Sequence, residues 1–177
     1  AGRLGQSVQF DGDAEMKLPG AGLFGRHTPF SIALWLKREE DQARCVVLHR
    51  SVAELDAGSR GYELQLEQGA PMFSLIHFWP GNAIRIKARQ KIPLGQWTHV
   101  AVTYDGSSDA AGLALFVNGR RCEVDWIRNQ LTKDIQHHDF WQDSAPQDQQ
   151  LSLAARFRDI GFRNGTLDEI KIFDQQL

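Results

Sequence analysis

Cysteine is scarce in this sequence, which has only Cys45 and Cys122 in 177 residues. Neither cysteine lies in a CxxC or CxxCH pattern, so thioredoxin-like redox chemistry and covalent haem attachment are excluded. Both lie in apolar, strand-like segments, where a buried free thiol is more common than a reactive one. A disulfide between them requires close Cα and Cβ geometry, so a bridged pair and two free thiols both stay open.

An excess of charge and a long hydrophobic run are also absent. The net charge is −2 and the pI is about 6.3, whereas a dedicated nucleic-acid-binding domain typically has a pI above about 9. No apolar run approaches the roughly 20 residues that cross a bilayer, and no signal peptide opens the chain. We therefore expect no nucleic-acid partner and no membrane span. The abrupt start at Ala1 leads us to expect a module of a longer or processed protein.

Sustained helical periodicity is missing as well, and two-residue alternation takes its place. We therefore predict one all-β domain over residues 1–177, built as a sandwich or a barrel. The eleven predicted strands are Ser7–Phe10, Phe30–Lys37, Cys45–His49, Tyr62–Glu67, Met72–Phe78, Ala83–Lys87, Trp97–Tyr104, Leu113–Val117, Arg121–Val124, Leu151–Leu153 and Leu167–Phe173.

Turn signals separate these strands. Asn118-Gly119 lies between two strand patterns and predicts a tight hairpin. Asp11-Gly12, Asp105-Gly106 and Asn164-Gly165 predict further turns. Residues 128–150 lack a clean period and predict a long loop of the kind that is often functional. In the strands themselves, the alternation of apolar residues predicts that one sheet face packs and the other meets solvent, and we assign Trp35 and Trp97 to the core.

Several segments together resemble a laminin-G-like domain of the concanavalin A-like lectin/glucanase superfamily. They are Val8–Gly12, Pro29–Leu36, Gly95–Gly106, Leu115–Gly119 and Gly165–Asp174. Their order and spacing cover nearly the whole chain. The resemblance implies a jelly-roll sandwich of two antiparallel sheets.

Three other segments resemble one subgroup of that superfamily, which occurs in large exported bacterial proteins with cytochrome-type modules. They are Gly58–Leu64, Leu75–Ile84 and Ala155–Phe162. This resemblance implies a periplasmic or extracellular location and neighbouring domains as partners. Any haem would belong to another part of the parent protein, because this chain has no haem-attachment motif.

Glycoside hydrolysis is the first enzyme class to consider, because the superfamily includes glucanases. A retaining enzyme needs two carboxyl groups about 5 to 5.5 Å apart. The nearest pattern is Glu123-Val124-Asp125, which lacks a third acidic position and follows directly on the hairpin. A solvated strand end explains these residues better, and no Gly-x-Ser-x-Gly elbow is present. We therefore predict a non-catalytic domain.

A calcium site is implied by the resemblance. Many superfamily members hold a structural calcium ion with an aspartate of the terminal motif and carbonyls near the N-terminus, which points to Asp168 and the turn containing Asp11 and Asp13. The alternative is that Asp11 forms an Asx-turn and Asp168 caps a strand end. His137-His138-Asp139 has imidazoles that suit a transition metal but no recognisable ligand spacing for zinc.

Candidate ligand-binding residues form two groups. His77, Trp79 and Asn82 combine an aromatic surface with hydrogen-bonding groups, which suits stacking and hydrogen bonding to a sugar. Arg156, Arg158 and Asp159 form a second polar cluster that offers bidentate donors. In the alternative interpretation, Trp79 packs over an edge of the sandwich while Asn82 and the arginines hold loops together.

The sequence therefore predicts a module that binds an extracellular glycan or a partner domain of the same protein. A structural spacer that docks against neighbouring modules is the main alternative. A degenerate glycoside hydrolase is a third possibility and requires Glu123 and Asp125 to face an open cleft. Fold alone does not decide among them.

Overall fold

The computed structural model describes residues 2–52, 59–136 and 149–177. In these residues the strands are β1 (Val8–Asp11), β2 (Met16–Leu18), β3 (Phe30–Arg38), β4 (Arg44–Arg50), β5 (Gly61–Glu67), β6 (Ala70–Phe78), β7 (Asn82–Ala88), β8 (Thr98–Tyr104), β9 (Leu113–Val117), β10 (Arg120–Arg121), β11 (Val124–Asn129), β12 (Leu151–Leu153) and β13 (Arg163–Phe173). A 3-10 helix, Ala110–Gly112, precedes β9.

The strands form two antiparallel sheets that pack as a jelly-roll sandwich, as predicted. The order is β1-β13-β3-β8-β9-β10 in the six-stranded sheet and β11-β7-β6-β5-β4-β12-β2 in the seven-stranded sheet. The first and last strands are hydrogen-bonded neighbours. Each sheet has one face turned to the core and one outer face.

The core lies between the sheets because apolar residues alternate along the central strands. Ile32, Leu34 and Leu36 of β3 are buried opposite Leu64 and Phe73 of the other sheet. Aromatic rings fill one end, where Phe30 stacks on Phe24 with centroids 4.4 Å apart and contacts the rings of Tyr62, Phe73 and Tyr104.

The Asn118-Gly119 hairpin is confirmed. Both residues have positive φ angles, 49° and 76°, as a two-residue type I′ turn requires, and Arg120 pairs with Val117. The turn predicted at Asn164-Gly165 is wrong, because both residues lie inside β13. Gly165 is needed there for packing, since a Cβ atom at this position would lie 2.3 Å from the ring of Phe162.

Apart from shifted strand ends, two features of the strand assignment differ from the predictions. β2 was not predicted, because Met16–Leu18 is a three-residue strand at the edge of the sheet. The predicted strand Arg121–Val124 is divided into β10 and β11, because the chain passes from one sheet to the other at Cys122-Glu123. β11 also occupies the start of the predicted loop 128–150, of which residues 137–148 lie outside the described residues.

The assignment of Trp35 and Trp97 to the core is wrong. Both are only partly buried and line the outer face of the six-stranded sheet. Since Leu34 and Leu36 point inward, the alternation along β3 directs Trp35 outward.

Cys45 and Cys122 are both buried free thiols. Burial raises the pKa of Cys45 to about 12, so this thiol is protonated and unreactive at neutral pH. In the described ranges, no helix is long and apolar enough to cross a membrane.

Candidate functional site

A row of polar side chains crosses the outer face of the seven-stranded sheet. Each member of this polar row is paired in register with the next member on the neighbouring strand. In order they are Lys17, Ser152, His49, Glu63, Ser74 and Arg85. Residues directly opposite on neighbouring strands have Cβ atoms about 5 Å apart, so the sheet itself brings these groups together from distant parts of the sequence.

Arg156 covers the middle of the polar row. Its Nη1 donates to Glu63 Oε2 at 2.5 Å, and its Nε and Nη2 donate to Asp159 Oδ2 at 2.9 and 2.6 Å. The side chains of all three residues are at most 2% exposed. The segment between β12 and β13 is thereby tied to the sheet through a buried ion network.

Two further arginines complete this network. Arg85 donates to Glu63 Oε1 at 2.7 Å and to Ser74 Oγ at 2.6 Å, and its guanidinium carbon lies 3.5 Å from the centroid of the Trp79 ring. Arg44 donates to Asp159 Oδ1 at 2.5 Å. Each of the two carboxylates therefore bridges two guanidinium groups, as charge-assisted pairs in a buried site require.

The balance of burial and charge sets the pKa values here. Burial alone lowers the pKa of Arg156, but Glu63 and Asp159 outweigh it and raise that pKa above its usual value. For Arg85, burial outweighs the attraction of Glu63 and lowers the pKa. Arginine is protonated in proteins in either case, so the network has three permanent positive charges, on Arg44, Arg85 and Arg156, against the two carboxylates of Glu63 and Asp159.

A pocket of about 290 Å³ lies beside the network, above the other end of the polar row. We call it the polar-face pocket. Its lining residues are Glu15, Lys17, His49, Ser51, Val52, Gln149, Gln150, Ser152 and Phe157. The ring of Phe157 is 65% exposed. The amide Nε2 of Gln149 is buried and has no hydrogen-bond partner among the described residues.

His49 connects the pocket to the ion network. Its Nε2 donates to the carbonyl of Ala155 at 2.9 Å, which leaves Nδ1 to accept from Ser51 Oγ at 3.1 Å. Ser51 Oγ in turn accepts from Arg156 Nη1 at 3.1 Å. Burial, with a smaller contribution from Arg156, lowers the pKa of His49 to about 4. The imidazole is therefore neutral at physiological pH.

The structure brings together three of the six predicted ligand-binding residues, namely Trp79, Arg156 and Asp159. His77 lies elsewhere, where its Nδ1 donates to the carbonyl of Asp134 at 2.5 Å. Asn82 holds the segment after β11, with Oδ1 accepting from the backbone of Thr132 at 3.0 Å. The exposed Arg158 packs its guanidinium 5.0 Å from the Phe157 centroid.

Several site residues were not singled out from the sequence. Glu63 and Gln65 alternate with the core residues Tyr62, Leu64 and Leu66 in β5, and this alternation is the signal that places them on the outer face. The partners of Glu63 are not visible in the sequence, because Arg85 and Arg156 reach it through strand register and a distant loop. Nothing in the sequence indicated a binding role for Phe157 apart from its place in the Ala155–Phe162 segment.

The carboxylates predicted to bind calcium do not converge. Asp11 pairs with Arg163 and Val8 with Leu167, so Asp11 and Asp168 lie about 13 Å apart along the strands at 3.3 Å per residue. Asp11 Oδ1 accepts from the backbone of Asp13 and Ala14 as an Asx-turn. Asp168 accepts from the backbone of Leu4 and Glu169. The three acids do not form one donor set, and calcium binding at Asp168 stays a prediction from the resemblance.

The remaining candidates lie apart from this face or outside the described residues. Glu123 and Asp125 have side chains that are 86% and 55% exposed, and both pair with Arg89, as expected for a solvated strand end. His137-His138-Asp139 lies outside the described residues. Within the described ranges, no three His, Cys, Asp or Glu side chains cluster as metal ligands.

Comparisons with known proteins agree on the fold. A laminin G family model, described as the concanavalin A-like lectin/glucanases superfamily, matches residues 10–177. No curated protein matches the sequence.

Solved structures from several sources are similar to the chain at low identity. A carbohydrate-binding module of a Ruminococcus gnavus sialidase, bound to α2,3-sialyllactose, is 12% identical with a TM-score of 0.69, covering 98% of this chain and 92% of its own. Domain 4 of an extracellular arabinanase from Geobacillus stearothermophilus, in complex with arabinotriose, is 19% identical with a TM-score of 0.59, covering 99% of this chain and 74% of its own. Domains LG4-5 of the mouse laminin α1 chain are 15% identical with a TM-score of 0.61, covering 99% of this chain and 44% of their own.

Proposed function

This chain belongs to the concanavalin A-like lectin/glucanase superfamily, and from that premise we propose that it is a non-catalytic carbohydrate-binding module. We further propose that the polar-face pocket holds a neutral saccharide. We also propose that the chain is exported from the cytoplasm and attached to neighbouring modules. A domain of an extracellular arabinanase that has a similar fold supports this by analogy.

The observation that carries this proposal is the combination of an exposed aromatic ring with hydrogen-bonding groups around one pocket. A pyranose has an apolar C–H face that stacks on an aromatic ring and hydroxyls that both donate and accept. Phe157 offers such a ring at the rim. Gln149, Gln150 and Ser152 offer amide and hydroxyl groups, of which Gln149 Nε2 lacks a partner among the described residues.

The charges of the pocket favour a neutral sugar. Lys17 and Glu15 lie within 3.6 Å of each other, and His49 is neutral because its pKa is lowered to about 4. Arg156 is buried against two carboxylates. Among these lining side chains each charged group has an opposite charge nearby, whereas hydroxyls find several partners. Arg158 at the rim packs over the ring of Phe157.

The same residues argue against hydrolysis. Cleavage by the two-carboxylate mechanism needs an acid and a second carboxylate across the scissile bond. Glu15 is the only carboxylate among the described residues that line the pocket. Glu63 and Asp159 are buried, and both oxygens of each accept hydrogen bonds from neighbouring groups that include arginines, so neither carboxylate faces the pocket as a free group.

The proposal is supported further by two proteins of similar fold, whose structures are complexes with arabinotriose and with α2,3-sialyllactose. Those ligands belong to those proteins. What transfers here is the expectation that this fold accommodates short saccharides on an outer surface.

Phe157→Ala tests the proposal. We expect a panel of neutral oligosaccharides to include one that raises the melting temperature of the wild-type protein by mass action. In isothermal titration calorimetry with that sugar, Phe157→Ala should weaken binding by about tenfold or more, because stacking on an aromatic ring contributes about 1 to 3 kcal/mol by analogy with base stacking. Its melting temperature should hardly change, since the ring is exposed.

Phe78→Ala is the matched control, because Phe78 is another exposed phenylalanine, 43% accessible, outside the pocket. It should leave sugar affinity unchanged. Equal affinity in the wild type and Phe157→Ala would contradict the pocket assignment, and the release of reducing ends from the bound sugar would contradict the non-catalytic assignment.

A further inference from the structure

The outer face of the six-stranded sheet holds a second, shallower depression of about 600 Å³. We call it the tryptophan depression. It is lined by Arg3, Trp35, Trp97, His99, Asn118 and Gly119. It lies on the opposite side of the sandwich from the polar-face pocket, and no residue is common to the two linings.

Strand register fixes the rings of this depression. Trp35 of β3 pairs with His99 of β8, and their ring centroids lie 5.3 Å apart in an edge-on arrangement. Trp97 is two residues before His99 and therefore shares its face. Trp97 immediately precedes β8 and lies diagonal to Trp35 of β3, at a spacing that long aromatic side chains bridge.

A cation without a carboxylate partner lies over this platform. The guanidinium carbon of Arg3 is 4.7 Å from the centroid of Trp35, and Arg3 is exposed. In the described part of the chain, Arg3 forms no salt bridge. The nearby Lys37 differs, because it pairs with Glu39 at 2.6 Å while lying 6.0 Å from the Trp97 centroid.

Asp168 does not neutralise Arg3 through an ion pair. It pairs with Trp35 across β13 and β3, and its two oxygens accept from the backbone of Leu4 and Glu169 at 3.0 and 2.9 Å. The hydrogen bond to Leu4 holds the N-terminal segment, and with it Arg3, beside the depression. Lys171 on the same sheet pairs with Glu169 at 3.3 Å. Arg3 is thus a cation at the depression that has no ion pair among the described residues.

We propose that the tryptophan depression binds a saccharide that carries an anionic group. The indole rings stack against the sugar ring, and Arg3 donates to the carboxylate or sulfate, whose two oxygens match the planar fork of a guanidinium. The volume lies within the range of small-ligand sites.

This inference goes beyond the proposed function, because it adds a site of different charge preference on another face. The polar-face pocket favours a neutral sugar, whereas the tryptophan depression favours an acidic one. Since no residue lines both, either site can be disproved without the other.

The experiment is a ¹H–¹⁵N NMR titration of the intact chain that follows its five tryptophan indole N–H signals. The probes are α2,3-sialyllactose, trigalacturonate and a sulfated heparin tetrasaccharide, with lactose as the neutral counterpart of the first. Trp35→Phe and Trp97→Phe assign the two indole signals. We expect both signals to shift with at least one acidic saccharide and not with lactose.

Arg3→Ala tests the anion contact without disturbing the core, because Arg3 is exposed. The dissociation constant for the acidic saccharide should rise about tenfold or more, as expected when a charge-assisted hydrogen bond is removed. Arg128→Ala, which removes an exposed arginine of β11 that lines neither depression, should leave the affinity unchanged.

Four results would overturn the inference. The first is that neither the Trp35 nor the Trp97 indole signal shifts with any of the three acidic probes at about 10 mM, a concentration above the dissociation constants of weak specific complexes. The second is an equal response to lactose, and the third is an unchanged affinity in Arg3→Ala. The fourth is a concentration-dependent dimer that Trp35→Phe disrupts. The last result would make this face an interface between copies of the chain. Loss of acidic-sugar binding in Phe157→Ala but not in Arg3→Ala would transfer the ligand to the polar-face pocket.

Discussion

His49 is a buried histidine in the middle of a polar row, and its neutral state depends on its surroundings. Nδ1 and Nε2 are both used in hydrogen bonds, one as an acceptor from Ser51 and one as a donor to the carbonyl of Ala155. Protonation would place a second positive charge beside Arg156 and convert the Nδ1 acceptor into a donor that faces a hydroxyl. The folded state therefore resists protonation of this ring.

This resistance makes stability depend on pH. The pKa of His49 is about 4 in the folded protein against 6.5 as the reference, so between these values the unfolded chain binds more protons than the folded one. The contribution of neutral His49 to the free energy of unfolding is complete above pH 6.5 and is lost as the pH falls toward 4. The maximum loss is on the order of 3 kcal/mol.

We expect the stability advantage of the wild type over His49→Gln to shrink as the pH is lowered from 7 to 4, since glutamine has no proton to gain. Urea denaturation of both proteins at a series of pH values measures this difference. His27→Gln is the control, because His27 is exposed, and its difference from the wild type should stay nearly constant. If the difference in the free energy of unfolding between the wild type and His49→Gln also stays constant with pH, the lowered pKa of His49 is contradicted.

At the residue scale, sequence reasoning found Trp79, Arg156 and Asp159 but placed Trp35 on the wrong face. The first three were predicted as ligand-binding residues because polar and aromatic residues cluster in short segments of the sequence. Trp35 was assigned by its hydrophobicity, although the inward positions of Leu34 and Leu36 require the residue between them to point outward. The alternation was the better guide.

The segment from Ala154 to Phe162 is the element that completes the candidate site. It crosses the outer face of the seven-stranded sheet, where the amide of Val46 donates to the carbonyl of Ile160 at 2.9 Å. Gly161 passes so close to Gly12 that a Cβ atom would lie 2.0 Å from the carbonyl oxygen of Gly12. The segment carries both the ion network of Arg156 and the exposed ring of Phe157.

Arg156→Ala should destabilise the protein by about 3 kcal/mol, because it leaves buried carboxylates without a charge partner. Chemical denaturation measures the change in the free energy of unfolding. Arg158→Ala is the matched control two residues away, and its effect should stay within about 0.5 kcal/mol, as for exposed side chains.

The double variant Glu63→Gln/Arg156→Ala gives a second check. It should lose less stability than the sum of its single changes, since the uncompensated charge on Glu63 is removed together with its partner. Additive losses would show that Arg156 contributes through packing rather than through its charge.

At the element scale, most strands were predictable because their alternation is long and regular, as in Phe30–Arg38. The three-residue strand β2 was not, because Met16–Leu18 is too short to show a period. The division between β10 and β11 depends on which sheet each half joins, which is a tertiary effect. The contacts of Arg156 with Glu63 are tertiary in the same sense, since 93 residues separate the two.

The whole molecule is a sandwich whose two outer faces differ in chemistry. One presents a polar pocket beside a network of three arginines and two carboxylates, and the other presents indole rings beneath an arginine that has no carboxylate partner in the described ranges. The common core allows both, because residues on the outer faces change without altering the alternation that builds the sheets. A module of this kind would engage two saccharides of different charge.

The most direct test of the central claim is a backbone NMR map of the protein titrated with the neutral oligosaccharide that gives the largest thermal shift. If the polar-face pocket binds the saccharide, the largest amide shifts fall at His49–Val52, Gln149–Ser152 and Phe157, and the sugar is intact after the titration. Shifts confined to the six-stranded sheet, cleavage of the sugar, or no response to any saccharide in the panel would contradict the central claim.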